Sequence, residues 1–111
     1  MEITESKKDD IVTLALAGRL DASNAGTLEE KILALIAGGA RRFVVDAARM
    51  DYISSAGLRV LLVAAKRLNA NDGKVVIAAL KDQVKEVFDI AGFSSIFEVY
   101  GTADEAVSSI R

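Results

Sequence analysis

Histidine, cysteine, proline and tryptophan are all missing from this chain of 111 residues. Without cysteine there is neither a disulfide framework nor thiol chemistry, and the cytoplasm is the expected location. Without histidine, Ser-His-Asp and Cys-His catalysis and the common zinc sites cannot be built. Carboxylate-only metal binding or acid–base work needs a convergent acidic cluster, and no acidic residues recur at such a spacing. No metal, no cofactor and no catalytic residue is therefore expected. The lack of proline, of low-complexity tracts and of repeats leaves no internal linker, so residues 1–111 are expected to form one domain. Charge of one sign is scarce too: the net value is −2, spread over both halves, which offers nothing to nucleic acid or to an anionic membrane. The N-terminal residues Met1 to Asp10 lack the apolar stretch of a signal peptide. No run approaches the roughly 20 apolar residues of a membrane span.

What the chain does have is apolar residues, 51% of the total, enough for a core without staples. Ile11 to Gly18 is β-rich with partial alternation, and Lys7-Lys8-Asp9-Asp10 before it reads as the turn of an N-terminal hairpin. From Asn24 the period changes. Leu28, Ile32, Leu35 and Ile36 recur at helical spacing, Thr27 with Glu30 fits a capping box, and Gly38-Gly39 ends the run. Phe43 to Asp46 reads as a short buried strand and Leu58 to Leu68 as a second helix. The turn Asn71-Asp72-Gly73 introduces a strand over Val75 to Ala79. Val84, Val87, Phe88 and Ala91 mark a third helix, with Gly92 as its left-handed C-cap. Ile96 to Tyr100 is expected to form a last strand, and Thr102 with Glu105 a capping box for a helix carrying Val107 and Ile110. Alternating strands and helices imply an α/β fold: a mixed, mostly parallel sheet with an antiparallel start, covered by about four helices.

The second helix is apolar nearly all round, with Arg59, Lys66 and Arg67 on one stripe. It begins at Asp51-Tyr52-Ile53-Ser54-Ser55-Ala56-Gly57, read as a loop at the carboxyl edge of the sheet, where ligands and modifications tend to sit. Adjacent serines at a helix start have a structural use, since serine is a preferred N-cap. The same free N–H groups and helix dipole also favour a phosphate on Ser55. Asp21 is either a turn former or a contact residue. Arg59, one turn beyond Ser55, shares its helix face.

Asp51-Tyr52-Ile53-Ser54-Ser55-Ala56-Gly57-Leu58 resembles the signature of STAS domains (sulfate transporter and anti-sigma factor antagonist). Gly18-Arg19-Leu20-Asp21 is similar to the family's G-x-L-D turn, and Val84 to Gly92 to its third-helix segment. The resemblance spans nearly the whole chain in order. It implies an anti-sigma factor antagonist, not an enzyme: the unphosphorylated form binds a kinase-type anti-sigma factor, a histidine-kinase-like ATPase, and phosphorylation at the serine before the small-residue-glycine pair ends that binding. By position this is Ser55. Ser54 stands where the antagonists usually carry aspartate and is the alternative acceptor. A PP2C-type phosphatase would reset the switch. The partner-facing residues implied are Asp21, Ser23, Asn24, Ser54, Ala56, Gly57 and Arg59. The alternative function on the same fold is a non-phosphorylated scaffold or adaptor in a transport or stress-signalling assembly. A serine hydrolase is disfavoured, because Ile53 occupies the place of the first glycine in a G-x-S-x-G elbow.

Overall fold

Two consecutive aspartates make the first turn. Asp9 and Asp10 both adopt positive φ, 53° and 64°, the two-residue geometry whose twist matches that of the strands it joins. It connects β1 (Glu2–Lys8) to β2 (Ile11–Leu20), with Lys8 opposite Ile11. Lys7 and Lys8 thus belong to the strand, and the turn is shorter than the sequence suggested. The computed structural model describes all residues from Met1 to Arg111.

The remaining elements follow as α1 (Ala25–Ala37), β3 (Arg42–Ile53), α2 (Ser55–Asn69), β4 (Lys74–Ala78), α3 (Asp82–Ile90), β5 (Val99–Tyr100) and α4 (Ala103–Ile110). The sheet order is β1-β2-β3-β4-β5, antiparallel only between β1 and β2. Alternate strand residues serve opposite faces. Val12, Leu14, Phe43, Val45, Val75 and Ile77 pack with α1, α2 and α3 in the main core. Ile11, Val44, Val76 and Ala78 pack on the other face against Ala106 and Ile110 of α4. The mixed sheet with four helices is the architecture expected from the sequence.

Several boundaries differ. Thr27 lies inside α1, so the Thr27–Glu30 capping box does not form; Asn24 is the N-cap, and its carboxamide is used elsewhere. At the other end, Ala40 N–H donates to Leu35 O and Gly39 N–H to Ile36 O, the paired bonds of a Schellman motif. Gly39 supplies the positive φ of 109° that this motif needs. The strand read as Phe43–Asp46 runs on to Ile53. The Ala47-Ala48-Arg49 stretch has little β signal, but β2 remains available as a partner and two register shifts absorb the mismatch. The expected seven-residue loop before α2 contracts to Ser54, and α2 starts at Ser55 instead of Leu58. β4 ends at Ala78 because Ala79 turns to φ 60°.

The last strand is the largest departure. Only Val99 and Tyr100 pair with β4, although the expectation began at Ile96. Gly92 takes φ 78° as anticipated and leads into a single 3-10 turn, Phe93–Ser95. That turn carries Phe93 and Phe97 onto Phe88, with ring centroids 5.7 to 6.3 Å apart. Aromatic packing of this kind outweighs the β propensity of one exposed residue, Ile96. Half of the final capping box forms: Glu105 N–H donates to Thr102 Oγ1 at 3.1 Å, while the Glu105 carboxylate accepts from the Thr102 hydroxyl at 3.2 Å and not from its backbone N–H.

Candidate functional site

All parallel strands end on the same edge of the sheet, so the β2–α1 turn and the β3–α2 junction become neighbours. The two are tied directly, because Ser54 N–H donates to Leu20 O at 2.9 Å. The sequence places the expected site residues in two separate segments, and this bond joins them.

In the first segment, Asp21 Oδ1 accepts from Ser23 N–H at 3.0 Å and from Ser23 Oγ–H at 2.6 Å. These bonds hold the Asp21 carboxyl below its ordinary pKa, the Ser23 hydroxyl contributing most. Asp21 is therefore a turn former whose second oxygen remains free. Asn24 Oδ1 accepts from Asp21 N–H at 3.0 Å, and Asn24 Nδ2 donates to Arg19 O at 2.8 Å. Both ends of the Asn24 side chain thus brace the turn.

In the second segment the two serines divide the work. Ser54 has extended backbone, φ −93° and ψ 173°, and its Oγ accepts from Gly57 N–H at 3.3 Å. It is the N-cap of α2. Ser55 follows as the first helical residue, exposed, with no hydrogen bond to its hydroxyl. No acidic residue occupies the first turn of α2, so the positive end of the helix has no carboxylate of its own. Ala56 is half-buried against the core, and Arg59 is exposed.

Gly57 is buried, and the reason is proximity. A Cβ there would lie 2.8 Å from Ile53 Cγ1 and 2.8 Å from Leu20 Cγ. The absence of a side chain lets the first turn of α2 sit directly on the ends of β2 and β3.

Three further residues at this edge were not anticipated. Arg19 and Tyr52 are register partners, and the Arg19 guanidinium lies 4.0 Å from the centre of the Tyr52 ring. Lys81, at the N-cap of α3, pairs with Asp51 at 2.5 Å. A sequence reading that left Asp51 and Tyr52 in a loop had no register from which to pair them. Lys81 lies 30 positions from Asp51 and carries no local signal.

The larger surface grooves lie elsewhere. One of about 450 Å³ runs between α2 and the β5 end of the sheet, lined by Leu62, Lys66, Gly73 and Ile96 among others. No polar or charged residue is buried anywhere, and no three carboxylates converge as a metal site. No helix is long and apolar enough to cross a membrane. None of these larger grooves is lined by Ser55.

Four carboxyls share one direction of shift. Asp51 is lowered chiefly by the hydrogen bond from Lys81, Asp89 by Ser94, and Glu98 by Lys74 and then Tyr100, as Asp21 is by Ser23. A carboxylate with a depressed folded pKa contributes stability that is full above its unfolded pKa and is lost as pH falls through the folded value. With no histidine to titrate, thermal stability is expected to be nearly flat between about pH 5 and 8 and to fall below about pH 4. Melting temperatures measured across that range check this; a midpoint drop near pH 6 would contradict it.

The family model of the STAS domain matches residues 2–106. The Bordetella bronchiseptica protein BtrV, provisionally described as an anti-sigma factor antagonist, is 42% identical over 111 residues, covering 100% of this chain and 96% of BtrV. A Thermotoga maritima crystal structure with the same provisional description superposes with a TM-score of 0.94 at 20% identity, covering 98% of this chain and 94% of that one. The anti-sigma factor antagonist SpoIIAA in its unphosphorylated form gives 0.89 at 22% identity, covering 99% and 96%. The Bacillus SpoIIAA structure in the phosphorylated form gives 0.80 at 21% identity, covering 99% and 100%.

Proposed function

This chain belongs to the STAS domain family, and from that premise we propose that it is an anti-sigma factor antagonist switched by phosphorylation of Ser55. Unphosphorylated, it captures a kinase-type anti-sigma factor with a histidine-kinase-like ATPase fold; phosphoserine releases the pair, and a PP2C-type phosphatase restores it. Asp21, Ser23, Asn24, Ser54, Ala56, Gly57 and Arg59 form or shape the contact surface around Ser55.

The observation that carries this reading is the division between the two serines. Ser54 is committed to capping, whereas Ser55 presents a free, exposed hydroxyl at a helix N-terminus whose first turn holds no acidic residue. A phosphoryl group added to Ser55 brings about −1.5 to −2 charge into an interface shaped around a neutral hydroxyl. The helix dipole favours that charge, so the domain has no cause to refold. The switch therefore acts through partner affinity. The existence of SpoIIAA in both states supports a fold that tolerates the modification.

The test is a binding titration of the chain, before and after treatment with kinase and ATP, against the histidine-kinase-like ATPases of its own organism. The untreated chain binds; the phosphorylated chain binds far more weakly. Equal affinity of the two forms would favour the scaffold reading. The chain on its own is expected to show neither ester hydrolysis nor ATPase activity, since no group hydrogen-bonds the Ser55 hydroxyl to activate it, histidine is absent and no phosphate-binding loop is present. Turnover that disappears in Ser55→Ala would overturn the binding-module reading.

A further inference from the structure

Along the Ser55 edge the two carboxylates are engaged, whereas Ser55 and Arg59 are exposed and make no side-chain hydrogen bond or ion pair. Asp21 is taken up by Ser23, and Asp51 by Lys81. At the opposite edge, where β3 begins, Arg41 and Arg42 donate to backbone carbonyls, and Arg111 pairs with Asp9 of the first turn. Arg19 also forms no hydrogen bond and no ion pair, but its guanidinium, unlike that of Arg59, is held by the face of an aromatic ring, Tyr52. Tyr52 in turn is one of four exposed large hydrophobic residues, 38% accessible, and its hydroxyl has no partner. Tyr100, by contrast, gives its hydroxyl to Glu98.

The placement of this pair is fixed by backbone. Arg19 and Tyr52 face each other in the β2–β3 ladder, and the next residues, Leu20 and Ile53, pack on Gly57. The stack thus stands one residue outside the first turn of α2, beside the Ser54 bond to Leu20. Its charge reaches the site, since Arg19 contributes to lowering the pKa of both Asp21 and Asp51. Arginine and tyrosine are the residue types that concentrate binding energy at protein interfaces, and stacking removes most of the cost of ordering a long side chain. A guanidinium fixed by its face keeps its planar edge of N–H donors free. That edge matches a carboxylate in two parallel hydrogen bonds.

We propose that Arg19, oriented by Tyr52, is a specificity-determining anchor of the Ser55 surface and receives a carboxylate side chain of the kinase partner. The inference rests on the functional reading above, and it commits the partner to an acidic residue opposite β2.

The test uses the full chain and a histidine-kinase-like ATPase of the same organism that binds it, titrated by calorimetry at two salt concentrations. Arg19→Glu is expected to weaken binding by roughly tenfold or more, with a shallower salt dependence, and Arg19→Lys by several-fold because the fork is lost. Tyr52→Ala weakens binding several-fold, while Tyr52→Phe, which keeps the ring, stays within about twofold. The double variant Arg19→Ala/Tyr52→Ala loses less than the sum of its parts, as expected of residues acting together. Wild-type binding that is unchanged in Arg19→Glu and Tyr52→Ala overturns the anchor and leaves the switch standing. No binding by the wild-type chain to any ATPase of that class overturns both. If Arg19→Glu leaves the unphosphorylated complex intact, and phosphorylation of the natural chain shifts the Arg19 side-chain NMR signal, the guanidinium serves the phosphate and the anchor is overturned.

Discussion

A chain carrying Ser55→Asp binds the kinase partner weakly, by roughly two orders of magnitude relative to the natural chain, while Ser55→Ala binds it persistently. The magnitude follows from where the charge goes. An exposed hydroxyl at the first position of α2 becomes a carboxylate that a closed interface must desolvate without a partner. A carboxylate has less charge than phosphoserine, so true phosphorylation weakens binding further. Ser54→Ala serves as the contrast. It removes the cap on Gly57 N–H and costs about 1 kcal/mol of stability, yet leaves the acceptor at Ser55 in place. Loss of phosphorylation in a folded Ser54→Ala chain would show that the roles of the two serines are not separate.

Gly57→Ala destabilises the domain despite alanine's better helix propensity. Propensity favours the substitution by up to about 1 kcal/mol. Against it, the new Cβ would sit 2.8 Å from both Ile53 Cγ1 and Leu20 Cγ, atoms near the roots of buried side chains. Overpacking of this kind costs typically about 1 to 3 kcal/mol, so the net effect is a loss of about 1 to 2 kcal/mol and a melting point some 4 to 8 °C lower. Gly26 supplies the opposite case within the same chain. A Cβ there meets nothing within 4 Å, and Gly26→Ala is expected to gain up to about 1 kcal/mol. Thermal melts of both variants read the two signs. A more stable Gly57→Ala chain with intact partner binding would mean that α2 does not need its close seat on β2 and β3.

The residues that made the fold legible were those with a strong local period or a special backbone demand. Leu28, Ile32 and Ile36 mark α1, Val84 and Phe88 mark α3, and Gly92 ends it with the positive φ that glycine permits. The illegible parts depend on distant partners. β3 persists through Ala47-Ala48-Arg49 because β2 lies alongside, which no local propensity encodes. Ile96 leaves the last strand because Phe93 and Phe97 gather on Phe88. At the site, Ser54 and Ser55 were readable as a pair from helix-start chemistry, and their separate roles needed the Gly57 bond. Asn24 was read as facing a partner, and its braces to Arg19 and Asp21 show a structural task. Arg19, Tyr52 and Lys81 became visible only with the ladder register and the α3 position.

Everything proposed for the switch turns on one atom, the Ser55 Oγ. The direct measurement is tandem mass spectrometry of the chain after reaction with ATP and the histidine-kinase-like ATPases of its own organism, together with a far-UV spectrum of the product. The prediction is a single phosphoryl group on Ser55 with an unchanged helical signal. Phosphate on Ser54 in place of Ser55, or on neither serine, would contradict it.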